Sequence, residues 1–206
     1  MNLLFIAILV FVASCSRPGL LTGLGTGGKY LEAREEITRR GCNVDKAIQN
    51  LETVVRDDPT YRDSLTLLGR AYYMRSRYGD AKPILERAVI VNQKDEIGWL
   101  VLGITRLRLG EDETGLKEVH GGLTLFSKVS KPGEGNYAGY RGYRFWDRAG
   151  NVRAALSRAV FAAQKGLDGK DDAVRAVERL VAAADAEEWA LRREKTSDMR
   201  RESEGR

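Results

Sequence analysis

The chain has 206 residues, 43% hydrophobic and 31% charged, which suits one folded domain, or one and a half, and excludes collagen and a wholly disordered chain. Two cysteines cannot build a disulfide scaffold or a four-thiolate zinc site, and one histidine excludes mechanisms that need two. The formal net charge of +5 is concentrated between Lys128 and Arg158, where Lys128, Lys131, Arg141, Arg144, Arg148, Arg153 and Arg158 are offset only by Glu134 and Asp147. Such a stretch suits an anionic partner.

Leu3 to Ala13 is an apolar run of eleven residues. It is too short to cross a bilayer, which takes about 20 residues, and has the length of the apolar part of an export signal. The string Val12-Ala13-Ser14-Cys15 resembles the bacterial lipobox, although residues 1–2 carry no Lys or Arg. The resemblance implies a lipoprotein signal peptide over 1–14, a lipid on Cys15 as the mature N-terminus, and, from Ser16, retention at the outer membrane. An ordinary cleaved signal is the alternative. Either way, export removes nucleic acid as a partner. Cys42 is then the remaining thiol, read as a small buried residue in a tight turn.

Residues 15–28 are glycine-rich and read as a flexible linker. Gly23, Gly25 and Gly28 satisfy the spacing of a dinucleotide-binding loop, but that loop needs a buried strand before it and a helix after it. Neither is predicted, so the match is set aside.

Shifting the chain by 34 positions brings Ala47, Ala81 and Gly115 into line, then Leu51, Leu85 and Val119, then Val54, Ala88 and Gly122. Leu68-Gly69 and Leu102-Gly103 also align, each a bulky residue beside a small one where two helices can approach closely. Leu65 falls on Trp99, whereas Ile84 falls on Glu118 and breaks the pattern. Each unit reads as a helix pair, with Asp80 as an N-cap, Pro83 in a first helical turn, and Pro59 closing the first unit.

This pattern resembles the tetratricopeptide repeat (TPR), with units at about 28–61, 62–95 and 96–129. The middle unit matches best, through Leu65, Leu68, Gly69, Tyr72, Ala81, Leu85 and Ala88; the third has Arg106 where the family has tyrosine. The resemblance implies an all-α, short TPR-like helical-hairpin solenoid with C-terminal capping helices, over residues 29–129 and 130–196. It also implies a groove that binds a peptide or helix of another protein. Carried over position by position, the groove comprises Lys29, Glu32, Glu36, Arg39 and Arg40 in the first unit, and Asp63, Thr66, Arg70, Tyr73 and Met74 in the second. In the third it comprises Ile97, Leu100, Ile104, Leu107 and Arg108. The apolar third-unit positions suit either a C-terminal cap or a hydrophobic partner, which leaves Arg39, Asp63, Thr66, Arg70, Tyr73 and Met74 as the candidate partner site.

Tyr137, Tyr140, Tyr143 and Trp146 recur every three residues, interleaved with Arg141, Arg144 and Arg148. An amphipathic helix from about 138 to 165 fits. Its rings are either core against the third unit, an exposed recognition surface (Tyr137, Tyr140, Arg141, Tyr143, Arg144, Trp146), or a contact to anionic headgroups. A further helix over Asp171–Lys195 has Val174, Val177, Val181 and Ala184 on its apolar face, and 197–206 reads as a polar, disordered tail. His120 stands alone at an expected helix irregularity. The adjacent carboxylates Asp57-Asp58, Asp171-Asp172 and Glu187-Glu188 diverge on a helix and read as caps and solvated faces.

No catalytic constellation, metal site or cofactor is predicted. The expectation is a non-enzymatic adaptor on the periplasmic face of a bacterial outer membrane, lipid-anchored and binding another envelope protein, its oligomeric state open. The alternative is a structural envelope protein whose basic aromatic segment contacts anionic lipid or polymer.

Overall fold

The computed structural model describes residues 25–41, 43–129 and 146–204. Residues 1–14, Cys15, Cys42 and the segment bearing Tyr137, Tyr140, Arg141, Tyr143 and Arg144 lie outside them. Helix α1 (Thr26–Glu35) runs into a π-helical turn (Glu36–Arg40), and α2 (Val44–Asp57), α3 (Ser64–Met74) and α4 (Tyr78–Val91) follow. Next come α5 (Glu96–Arg108), α6 (Asp112–Val129), α7 (Asn151–Gln164), a 3-10 turn (Gly166–Gly169) and α8 (Lys170–Glu204). Among the described residues there is no strand, and no helix is long and apolar enough to cross a membrane.

The 34-residue period is the spacing of the helix pairs α1/α2, α3/α4 and α5/α6, each packed on the next through α2 on α3 and α4 on α5. The aligned positions are the core. Ala47, Ala81, Leu51, Leu85, Val119, Val54 and Ala88 are all buried, each larger aliphatic side chain contributing roughly 1.5–3 kcal/mol. The glycines sit where backbones touch. A Cβ on Gly103 would lie 2.7 Å from the Val119 nitrogen and 2.8 Å from the Gly115 oxygen, and one on Gly122 2.9 Å from the Leu100 nitrogen.

Local chemistry sets the boundaries. Asn43 caps α2 by accepting from the Lys46 N–H at 3.2 Å, and Asp95 caps α5 by accepting from Gly98 N–H at 2.9 Å. Asp58 adopts the extended backbone that a following proline requires, and α2 stops. Several expectations shift. Helix α1 begins at Thr26, inside the stretch read as linker. Helix α4 begins at Tyr78, so Asp80 is not its N-cap but a first-turn residue paired with Arg77 at 2.7 Å, and Pro83 lies beyond the first turn. Helix α6 is continuous through His120, which is exposed.

The C-terminal helices also differ from the reading. The helix expected from about 138 starts only at Asn151 within the described residues, after a turn over 146–149. Asp147, at φ 58°, sets that start by accepting from Val152 and Arg153 N–H at 2.8 and 3.0 Å, while its own N–H donates to Glu187 on α8 at 2.8 Å. Helix α8 continues past Lys195 to Glu204. No Gly or Pro interrupts it there, Arg, Glu and Met favour helix, and the Thr196 hydroxyl donates to Arg192 C=O at 2.8 Å.

Candidate functional site

Helix α8 packs beside α7 and crosses the face made by α1, α3 and α5. Its proximal half is held by burial: Val174, Val177, Val181 and Ala184, the predicted apolar face, are covered together with Ala173, Ala176 and Leu180. The third-unit positions Ile97, Leu100, Ile104 and Leu107 are buried as well, and α5 packs on α8. A C-terminal cap, not an open hydrophobic groove, covers that part of the face.

Charged pairs then follow one another along α8. Arg108 from α5 donates to Glu178 at 3.4 Å, Arg70 from α3 pairs with Asp185, and Arg34 from α1 pairs with Glu188. Each repeat therefore supplies one arginine to one carboxylate. Tyr73 adds a hydroxyl donating to the same Glu178 oxygen at 2.6 Å. Burial, and then that hydrogen bond, push its ionisation well above the ordinary tyrosine range. Trp189 closes the contact at the π turn, donating its indole N–H to Thr38 Oγ1 at 2.7 Å under the Arg39 guanidinium, 5.4 Å from the ring centroid.

The predicted partner site is thus divided. Arg70 and Tyr73 are engaged by α8 of the same chain. Thr66 is buried and donates to Asp95, and Asp63 accepts from Tyr30 at 2.6 Å, so both join repeats to one another. Met74, 44% exposed, remains open, whereas Arg39, though exposed, stacks on Trp189 of α8 and pairs with Glu35. In the first unit, Glu32 turns to Lys46 and Asn50 on α2, and Glu36 accepts from Asn43 N–H. Helix α1 ends in the π turn, and Arg34, two residues before the register position Glu36, is the side chain that meets α8.

Two clefts flank α8. The larger, about 830 Å³, lies between the repeats and α8 and is lined by Ile37, Arg39, Met74, Tyr78, Trp189 and Arg193 among others. The other, about 440 Å³, has a mixed lining that includes Arg62, Val91, Asp95 and Arg192. Trp146 is not part of an open surface: it is buried, its ring centroid 6.1 Å from that of Phe126 on α6. Among the described residues, no group of three or more His, Cys, Asp or Glu could hold a metal ion.

The register of α8 carried the signal that a pairwise reading missed. Val174, Glu178, Val181, Asp185 and Glu188 are spaced 4, 3, 4 and 3, the interval of one buried helix face. Carboxylates in such a stripe call for cationic partners. Glu187 and Glu188 do diverge, but Glu187 holds Asp147 N–H and Glu188 is buried on Arg34 rather than solvated.

Residues 43–103, from the α2 cap to the crossing glycine of α5, match the family model described as Tetratricopeptide repeat. The solenoid is TPR-like. Repeats of this family are protein-interaction scaffolds, and TPR domains in general bind peptides or protein partners. No curated protein matches the chain, and no solved structure does.

Proposed function

We propose that this chain is a membrane-anchored, non-enzymatic adaptor in which the TPR-like solenoid binds another protein during assembly of a bacterial envelope complex. The observation that carries the binding role is the face made by α1, α3 and α5, which already holds a helix through one arginine per repeat and leaves a cleft of about 830 Å³ beside it. A cavity of this size, with apolar walls and a few polar groups, suits a ligand or a peptide segment. The anchor rests on the sequence: the apolar run Leu3–Ala13 followed by Val12-Ala13-Ser14-Cys15 supports a lipid on Cys15, and Ser16 supports the outer membrane, periplasmic face. Lipid plus groove then makes the mechanism positional, fixing the partner at a membrane surface.

A photo-crosslinking residue at Met74, which touches the cleft without bonding to α8, tests the binding role in intact cells. One envelope protein captured at Met74 and absent from a control at exposed His120 is the expected result; identical captures at both positions would refute it. Metabolic labelling with palmitate tests the anchor. Label lost on Cys15→Ala, with release of the chain from the membrane fraction, is expected; an unlabelled wild type refutes lipidation.

A further inference from the structure

We propose that the distal half of α8, from Asp185 onward, is a releasable latch, and that the face beneath it receives a partner's acidic amphipathic helix bearing carboxylates at the α8 spacing and an aromatic side chain. The inference rests on the adaptor reading above and names the partner's chemistry.

The two halves of α8 are held by different physics. Up to Ala184 seven apolar side chains are buried; beyond it Glu188 is the one buried side chain among the described residues, with Leu191 half-covered. The distal half therefore depends on polar contacts: Arg70–Asp185, Arg34–Glu188, the Trp189–Thr38 hydrogen bond and the Arg39 stack on the repeats, and Asp147 N–H to Glu187 and Arg148–Glu194 at the start of α7. Paired charges return little net stability once desolvation is subtracted, whereas the apolar half gains stability with every covered side chain. Release past Ala184 leaves the apolar anchor in place.

The uncovered face dictates what replaces the latch. An apolar occupant would rebury Arg34 and Arg70 without the carboxylates of Glu188 and Asp185 that now pair with them, which penalises such an occupant and selects an acidic one. The Thr38–Arg39 ledge, set by the π turn, takes a ring with a donor. The cleft of about 830 Å³ provides an entrance, with Met74 of α3 exposed at its edge. Intramolecular occupancy lowers apparent affinity by the fraction of chains with the latch open, so weakening the latch tightens partner binding.

The test uses the full chain and a fluorescent synthetic peptide of residues 185–201 as probe. In Glu188→Lys the new ammonium faces Arg34, and the probe should bind about tenfold tighter than to wild type. Hydrogen exchange should rise over 185–201 and stay slow over 173–184. A probe with Asp185, Glu187 and Glu188 neutralised to amides should not bind. Equal affinity of the two chains, equal binding of the neutralised probe, or exchange rising through all of α8 would each overturn the latch. A concentration-dependent wild-type dimer would assign the site to a second copy's α8 and overturn the choice of partner. Crosslinking at Met74 separates the two ideas: equal capture by wild type and Glu188→Lys keeps the adaptor and overturns the latch, whereas capture by neither removes both.

Discussion

Gly103→Ala probes the feature on which the third helix pair depends. In an exposed helix interior, alanine is favoured over glycine by about 1 kcal/mol. At Gly103 the added methyl would meet the Val119 nitrogen at 2.7 Å, the Gly115 oxygen at 2.8 Å and Val119 Cγ2 at 2.8 Å. Two of these atoms are backbone, so no rotamer change relieves the contact, and α5 must separate from α6. Overpacking of this kind costs roughly 1–3 kcal/mol, and separation also loosens Leu107 against Gly115 and Leu100 against Gly122. The expected net loss is about 2 kcal/mol, or about 4–8 °C in Tm for a domain of this size. Gly121→Ala is the internal control. It lies in α6, is exposed, and a Cβ there meets nothing within 4 Å, so it should stabilise by up to about 1 kcal/mol. Gly69→Ala should fall between them, because its clash at 2.4 Å is with the movable Leu85 side chain. Thermal and urea unfolding followed by far-ultraviolet circular dichroism measures all three. A Gly103→Ala chain as stable as Gly121→Ala would refute close backbone approach as the reason for the glycine.

Arg106→Leu should cost about 3 kcal/mol, because it strands nearly buried Glu118, whose acid is already held above the usual range by burial; Arg106→Tyr with Glu118→Ile should recover most of the loss in the same unfolding assay. Above pH 10 stability should fall: Tyr30, Tyr72 (pushed up to about 12) and Tyr73 all have raised ionisation, mainly through burial, so the unfolded chain sheds tyrosine protons that the native chain keeps. Urea midpoints at rising pH, with tyrosinate absorbance in the ultraviolet, check this, and a rising midpoint would contradict it. Asp147→Ala should cost about 1–2 kcal/mol by uncapping α7, read as faster hydrogen exchange at Val152 and Arg153.

Much of the solenoid was legible because its period is built from contact. Ala47, Ala81 and Gly115 must be small for helices to cross, and Leu51, Leu85 and Val119 must fill the space beside them, so the same residue sizes return every 34 positions. What failed to repeat was informative too. Ile84 falls on Glu118 and Tyr72 on Arg106, and read singly each looks like a lapse from the pattern. In the structure they are one exchange. Tyr72 donates to Glu52 at 2.6 Å, Arg106 donates to Glu86 at the same place in the next repeat at 2.7 Å, and Glu118 supplies the second charge at 2.9 Å. The π turn was not legible, since nothing in Glu36–Arg40 announces an i→i+5 bond, and in the first unit Arg34 rather than the assigned Glu36 meets α8.

The largest change concerns what the groove residues do. Read one at a time, Arg70 and Tyr73 are a cation and a phenol in a binding surface awaiting a partner. Together with Arg34 and Arg108 they are one side of an intramolecular contact, and the other side is written in α8 at the interval that puts Glu178, Asp185 and Glu188 on one face. The consequence is practical. Substituting Arg70 or Tyr73 removes a counter-charge or hydrogen bond from α8 before it removes anything from a partner, so loss of binding in such variants would conflate cap release with groove damage. Met74, which lines the cleft from α3 without bonding to α8, reports on a partner alone. The face is therefore best tested from its open edge inward, with the α8 contact held intact.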